Sequence, residues 1–264
     1  KLRLRLEGDK PVLCLKEPIS FDGVKVMDEF EVEVSDFDTL ALMFEKMGYK
    51  EKRATSKTRI SYTCGDVHFD FDLYEAINEG VRQAYEEGLL RKSVVKHPID
   101  RENTKDNTPA IIHLKMVKGN QIKITVAPKG GGSENMSLVK MLVPSDGIEG
   151  IKKLVLHTIF YAGGKPCPPL TVGIGIGGNL EKSALIAKEA LMRDLKDVNP
   201  DPILAKLEAD LLEDINKLGV GPMGFGGTTT ALAVKIASYP CHIASLPVAI
   251  NIQCHASRHK SIVI

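Results

Sequence analysis

Several absences narrow this chain before any motif is read. There is almost no net charge: lysine plus arginine number 35 against 34 for aspartate plus glutamate. Without a global basic field, neither nucleic acid nor an anionic membrane is expected as the main partner. An anionic small molecule needs only a few local cations, so neutrality leaves that class open. There is also no apolar run long enough to span a bilayer, because charge or proline interrupts each stretch. No secretory leader is expected ahead of the first strand-like segment. No Cys-x-x-Cys pair occurs, so zinc is not expected on cysteine spacing.

What cysteine there is points the same way. Cys14, Cys64, Cys167, Cys241 and Cys254 are odd in number and widely spaced, in a chain of 264 residues that needs no staples. That excludes a secreted disulfide framework and predicts a cytoplasmic protein with reduced thiols, some buried and others free to ligate metal. The length allows one large domain or two smaller ones.

Residues 1–72 and 73–264 read as different kinds of protein. The front alternates at the two-residue strand period. Leu2, Leu4 and Leu6 face one way and Arg3 and Arg5 the other, and Val12–Leu15 and Phe30–Val34 repeat the pattern. Asp22-Gly23 predicts a turn between the second and third strands. Thr39–Met47 has helical spacing and stops at Gly48, and Arg59–Tyr62 and Val67–Phe71 resume strand character. From Leu73 to Glu87, Ala76, Ile77, Gly80, Val81 and Ala84 share one helix face. Short strands are predicted at Ala110–Met116 and Gln121–Pro128, joined by Lys118-Gly119-Asn120. Helices are predicted over Ile148–Tyr161, Leu180–Met192, Ile203–Leu218 and Thr228–Ala237, with buried strands at Leu170–Ile176 and Ala244–Gln253. The expected fold class is α/β or α+β behind a β-rich front.

The motifs lie mostly in the second part. They are Glu75-Ala-Ile-Asn-Glu-Gly-Val81, Leu90-Arg-Lys-Ser93, Asp106-Asn-Thr-Pro-Ala110 and Ala127-Pro-Lys-Gly-Gly-Gly-Ser-Glu-Asn-Met136. Further along come Pro144-Ser-Asp-Gly-Ile148, Cys167-Pro-Pro169, the glycine loop Gly219–Thr230 and Gln253-Cys-His-Ala256. In that order they resemble the α subunit of the two-subunit class I fumarases and tartrate dehydratases, over about residues 67–264. The resemblance implies a hydro-lyase acting on a small dicarboxylate, fumarate and malate first and tartrate as the nearest variant. It also implies a separate β subunit that supplies the catalytic base, and an oligomer is expected.

In that family three cysteine thiolates hold a 4Fe-4S cluster with one iron left free of protein ligands. An open iron is a Lewis acid suited to a carboxylate and a leaving hydroxyl. The resemblance places two ligands at Cys167 and Cys254. The third belongs to a Cys-Gln-Asp-Thr-Gly motif that this sequence lacks. Cys64-Gly65-Asp66 keeps its Cys-x-Asp outline but stands closer to the Glu75 helix than that motif does, which leaves Cys64 as the candidate for the third place. His242 matches the family's active-site histidine, and Arg91 its carboxylate-binding arginine, a role that guanidinium geometry suits. Gly130, Gly131 and Gly132 offer backbone amides to an anion. Each of these residues also has a plain structural reading: a buried thiol, a satisfied core histidine, a solvated arginine, a flexible turn.

Two competing patterns remain. Gly173-Ile-Gly-Ile-Gly-Gly178 fits a dinucleotide fingerprint, with Asp194 or Asp197 near the ribose offset. No βαβαβ series surrounds it, so a nicotinamide enzyme is not preferred. Residues 1–72 resemble the middle of a CYTH, or triphosphate tunnel, domain. The likeness rests on Arg3, Arg5, Lys16, Glu29–Glu33, Lys57-Thr-Arg59, Tyr62 and Asp70. That implies a metal-dependent triphosphate hydrolase or binding module, although the opening Glu-x-Glu-x-Lys motif and closing strands are absent. The two likenesses meet near Gly65–Asp72, as in a fused or truncated chain, and an inactive fusion is the third reading.

Overall fold

The computed structural model describes residues 2–7, 10–21, 24–48, 60–64, 67–71, 73–115, 117–119, 121–256 and 258–264. Contacts divide the chain into two compact units, Lys1–Met116 and Val117–Ile264.

The first unit opens with β1 (Leu2–Glu7), β2 (Lys10–Phe21) and β3 (Val24–Glu33), an antiparallel meander in the order β1-β2-β3. Register places Leu4 opposite Leu13 and Phe21 opposite Val24. The predicted Asp22-Gly23 turn itself lies outside the described residues. Helix α1 (Phe37–Lys46) begins where Asp36 accepts the Thr39 N–H at 3.0 Å, an N-cap that satisfies one orphan amide. β4 (Ile60–Cys64) and β5 (Val67–Phe71) form a hairpin, and α2 (Leu73–Glu87) follows. Of the CYTH-like residues, Lys57-Thr-Arg59 and the side chains of Arg3, Arg5, Lys16, Glu29 and Asp70 lie outside those described.

After α2 the chain is irregular, and side chains replace a backbone ladder. Asn107 Oδ1 accepts the amides of Ser93 and Val94 at 2.7 and 3.2 Å. Asn78 on α2 accepts the Ala110 amide at 2.8 Å, and Arg82 donates to Asp106 at 3.0 Å. Two of the family-like stretches, the Glu75 helix and Asp106–Ala110, thus fasten the loop that carries Arg91. The strand predicted at Ala110–Met116 does not form: residues 111–115 join no ladder, and Ile111 is 86% exposed.

The second unit contains β6 (Lys123–Val126), α3 (Gly131–Glu134), β7 (Leu138–Leu142), α4 (Gly147–Ala162), β8 (Leu170–Gly177) and α5 (Leu180–Ala190). It ends with α6 (Pro202–Lys217), β9 (Ala231–Tyr239), β10 (Leu246–Gln253) and β11 (Lys260–Val263). The main sheet runs β7-β10-β8-β9, with β8 and β9 parallel and the other pairs antiparallel. This is an α/β arrangement, as expected. Val172 and Ile174 of β8 and Val248, Ile250 and Ile252 of β10 form the core with Ile151, Val155 and Ile159 of α4 and Leu207, Leu211 and Ile215 of α6. Alternate positions of β8 are glycine for a packing reason. A Cβ on Gly173 or Gly175 would strike the α5 carbonyls of Ala187 or Ser183, so α5 lies directly on the strand backbone. That close packing accounts for the dinucleotide-like glycines.

Two further expectations are corrected. Residues 231–239, which overlap most of the predicted Thr228–Ala237 helix, form strand β9, because Val234 and Ile236 reach the core from alternate positions. Lys235 between them is only 3% exposed, and its Nζ donates to Asp197 Oδ1 at 2.8 Å and to the Asp197 carbonyl at 2.7 Å. Strand β6 pairs not with the preceding segment but with β11, Lys260 opposite Val126.

Candidate active site

One end of the main sheet gathers four of the sequence motifs. Cys167 stands just before β8, the glycine loop 219–230 just before β9, and Cys254 just after β10, which runs the opposite way. The Met223 amide donates to the Pro168 carbonyl at 2.9 Å and the Leu170 amide to the Thr230 carbonyl at 2.8 Å. On the other side, the His255 amide lies 3.3 Å from the Cys167 carbonyl and its Nδ1 3.1 Å away. Cys167 and Cys254 therefore sit on adjoining backbone segments, each partly exposed. The fourth motif joins here, since a Cβ on Gly132 would lie 3.1 Å from the Lys165 carbonyl.

Cys167 has φ +57°, a left-handed conformation that costs an L residue about 1–3 kcal/mol. It persists because both neighbouring loops clamp the segment. Gly224 has φ +82°, and its backbone packs against Gly164, where a side chain would collide. Asn216, on α6, holds the start of β9: its Oδ1 accepts the Thr230 and Ala231 amides at 2.8 and 2.9 Å.

The electrostatics centre on Glu134. Lys129 Nζ lies 2.6 Å from its Oε2 and Lys188 Nζ 2.9 Å from its Oε1. Asn251 Nδ2 completes the clamp at 3.4 Å from Oε2 and 3.2 Å from Ser137 Oγ. Burial alone would raise the Glu134 carboxyl, but hydrogen bonds and charge from the two lysines lower it from 4.5 to about 2. Burial holds the Lys129 ammonium below the usual lysine range, against the upward pull of Glu134 and of Cys254. Lys129, Asn216 and Asn251 were not singled out from sequence. Lys129 lies inside the Ala127-Pro-Lys-Gly stretch, the one sequence signal that marks it.

The other candidates are placed differently. Gly131 and Gly132 begin α3, and Gly130 is its N-cap. His242 lies in the turn before β10, its Nδ1 accepting the Ala244 amide at 3.1 Å. Cys254 is at the far end of that strand, and eight residues at roughly 3.3 Å each span about 25 Å. The structure thus does not bring His242 to Cys254 within one chain. Arg91 is in the first unit, exposed, with Nε donating to Ser93 Oγ at 3.2 Å. Cys64 ends β4, also in the first unit, and its side chain is outside the described set. Among the described residues no group of three or more His, Cys, Asp or Glu could hold a metal ion. The donor set at this end of the sheet is a pair of thiols. Thiols are the chemistry of iron–sulfur ligands, and this pair leaves a third ligand unassigned.

A family model described as Fumarate hydratase (Fumerase) matches residues 58–263. The putative L(+)-tartrate dehydratase subunit alpha of Methanocaldococcus jannaschii is 54% identical over 191 residues, covering 70% of this chain and 67% of that protein. The putative fumarate hydratase class I of Geobacillus stearothermophilus is 33% identical over 200 residues, 71% of this chain and 38% of that protein. The L(+)-tartrate dehydratase subunit alpha of Escherichia coli K12 is 31% identical over 197 residues, 73% of this chain and 65% of that protein. The chain thus spans about two thirds of the α-subunit relatives and well under half of the Geobacillus protein. With the family model covering most of its length, the chain belongs to the fumarate hydratase (fumerase) family.

Proposed function

We propose that this chain is the α subunit of an iron–sulfur hydro-lyase that hydrates fumarate to malate reversibly, with tartrate dehydration as the alternative. The observation that carries the reading is the join between the Cys167 and Cys254 segments through the Cys167 carbonyl, inside loops that match the family. Cys167 and Cys254 would hold a 4Fe-4S cluster. When bound, the cluster supplies a Lewis acid for the substrate's carboxylate and hydroxyl.

The chain's own residues bind and orient the diacid. The amides of Gly130, Gly131 and Gly132 offer donors to a carboxylate, and Arg91 is assigned to carboxylate binding by the family resemblance alone. Ser93 and Asn107 steady the Arg91 loop. His242 is the proposed catalytic histidine by resemblance, standing at the other end of β10 from Cys254, and the third cluster ligand is not assigned. A β subunit, to which the relatives' α designation points, would supply the base. Reduced thiols suit a cytoplasmic protein, and an oligomer is expected. Residues 73–264 are assigned to the hydro-lyase part and 1–72 to a β-rich front segment, although the family match already begins at residue 58.

The test is conversion of fumarate and of L-tartrate by the anaerobically reconstituted chain mixed with a β subunit. Wild type should turn over one of the two diacids, and Cys254→Ser should fall to background. Equal rates in both proteins would remove the cysteine from the mechanism.

A further inference from the structure

The lysine inside the glycine-rich motif has a position that the family-like roles do not use. Its neighbourhood is assembled by backbone: β6, ending three residues before Lys129, pairs with β11, which begins six residues after Cys254, and Lys260 lies opposite Val126. The two loops are thereby tied together at their far ends. Lys129 leaves only 13% of its side chain exposed, and its carboxylate partner is fixed in turn by Lys188 and Asn251. Two ammonium groups against one carboxylate leave a net positive charge, and that carboxylate also bonds Asn251, three residues before Cys254 at the end of β10.

We infer that Lys129 is an electrostatic positioning residue of this site, clamped by Glu134 so that a fixed positive charge faces Cys254 and attracts anionic groups to that corner. The geometry suits the occupants the proposed function requires, a thiolate and a small dicarboxylate, and in naming them the inference rests on that reading. A buried, held cation acts more strongly than a solvated one, because it faces less dielectric screening and loses no further side-chain entropy. Surface lysines such as Lys260 lack such a clamp among their described contacts.

The test needs neither cluster nor β subunit. In the full chain without iron, the alkylation rate of Cys254 is measured with iodoacetate and with the neutral iodoacetamide, resolved by peptide mass spectrometry. The ratio of the two rates cancels the thiol's own ionisation and reports local charge. Cys241, which is exposed, serves as the internal reference. The iodoacetate-to-iodoacetamide ratio at Cys254 should fall about threefold to tenfold in Lys129→Met and return in Lys129→Arg, with Cys241 unchanged. An unchanged ratio in folded Lys129→Met, or an equal fall in Lys129→Arg, would overturn the inference. Should Lys129→Met fail to fold by circular dichroism, the wild-type salt dependence decides. The Cys254 ratio should decline with ionic strength more steeply than the Cys241 ratio, and parallel profiles would refute the fixed charge. A charge effect in a chain that takes up no iron would leave this inference standing while the cluster reading fails.

Discussion

Asn216 shows how much of the site depends on single amides. Its Oδ1 accepts two backbone N–H groups and its Nδ2 donates to the Ala231 carbonyl at 3.1 Å, all where the glycine loop becomes β9. Asn216→Ala leaves those partly buried groups unmatched and should cost about 1–3 kcal/mol, read from urea unfolding midpoints. A change within error would mean the loop start is held by other contacts. Glu134 yields a pH prediction. Its carboxyl is held at about 2, below the 4.5 of a free glutamate, so the unfolded chain binds this proton more tightly. The stabilisation it gives is therefore complete above about pH 4.5 and is lost as pH falls toward 2. Because the group is about half exposed, solvent screening makes the contribution modest. The stability gap between wild type and Glu134→Gln should shrink as pH is lowered from 6 to about 2.5. A gap that widens on acidification would contradict the clamp.

At the level of elements, β8 and α5 depend on contact without side chains. Gly175→Ala would drive a methyl group into the Ser183 carbonyl and the Ala187 amide of α5. Overpacking of this kind should destabilise by about 1–3 kcal/mol, visible as a lower melting temperature. An unaffected melting temperature would show that α5 can move away freely. The same scale explains what was legible in the sequence. Helices α4 and α6 and strands β8 and β10 announce themselves, because their apolar period matches their buried face. β9 does not, since its pattern is broken by a lysine that only becomes tolerable inside once Asp197, far back in the chain, accepts its proton donors. The pairing of β6 with β11 is hidden for a similar reason: the partner is more than a hundred residues away, while a nearer segment imitates a strand. In the site, Cys167 and Cys254 stand out by their neighbours. Lys129 reads as an ordinary loop lysine until Glu134 and Lys188 fold around it.

Taken whole, the molecule divides the family's residues between two compact units. Cys167, Cys254 and the glycine motifs belong to Val117–Ile264, and Arg91 and Cys64 to Lys1–Met116. The second unit carries a buried ionic network that fixes β9 to the segment before α6. Arg193 reaches Glu208 at 2.7 Å, and Glu208 also accepts the Ile236 amide at 2.6 Å and Asn199 at 2.7 Å. Glu208→Ala strands those donors and should cost the second unit about 3–5 kcal/mol, read from its unfolding transition in urea. A loss below about 1 kcal/mol would show that water replaces the carboxylate.

The central claim is that two thiols at one end of this sheet grip a metal cluster. Anaerobic reconstitution with iron and sulfide, followed by iron analysis of wild type, Cys167→Ser and Cys254→Ser, tests it most directly. Iron retained by wild type and lost from both variants is the predicted result. Equal iron in all three proteins, or none in wild type, would contradict it.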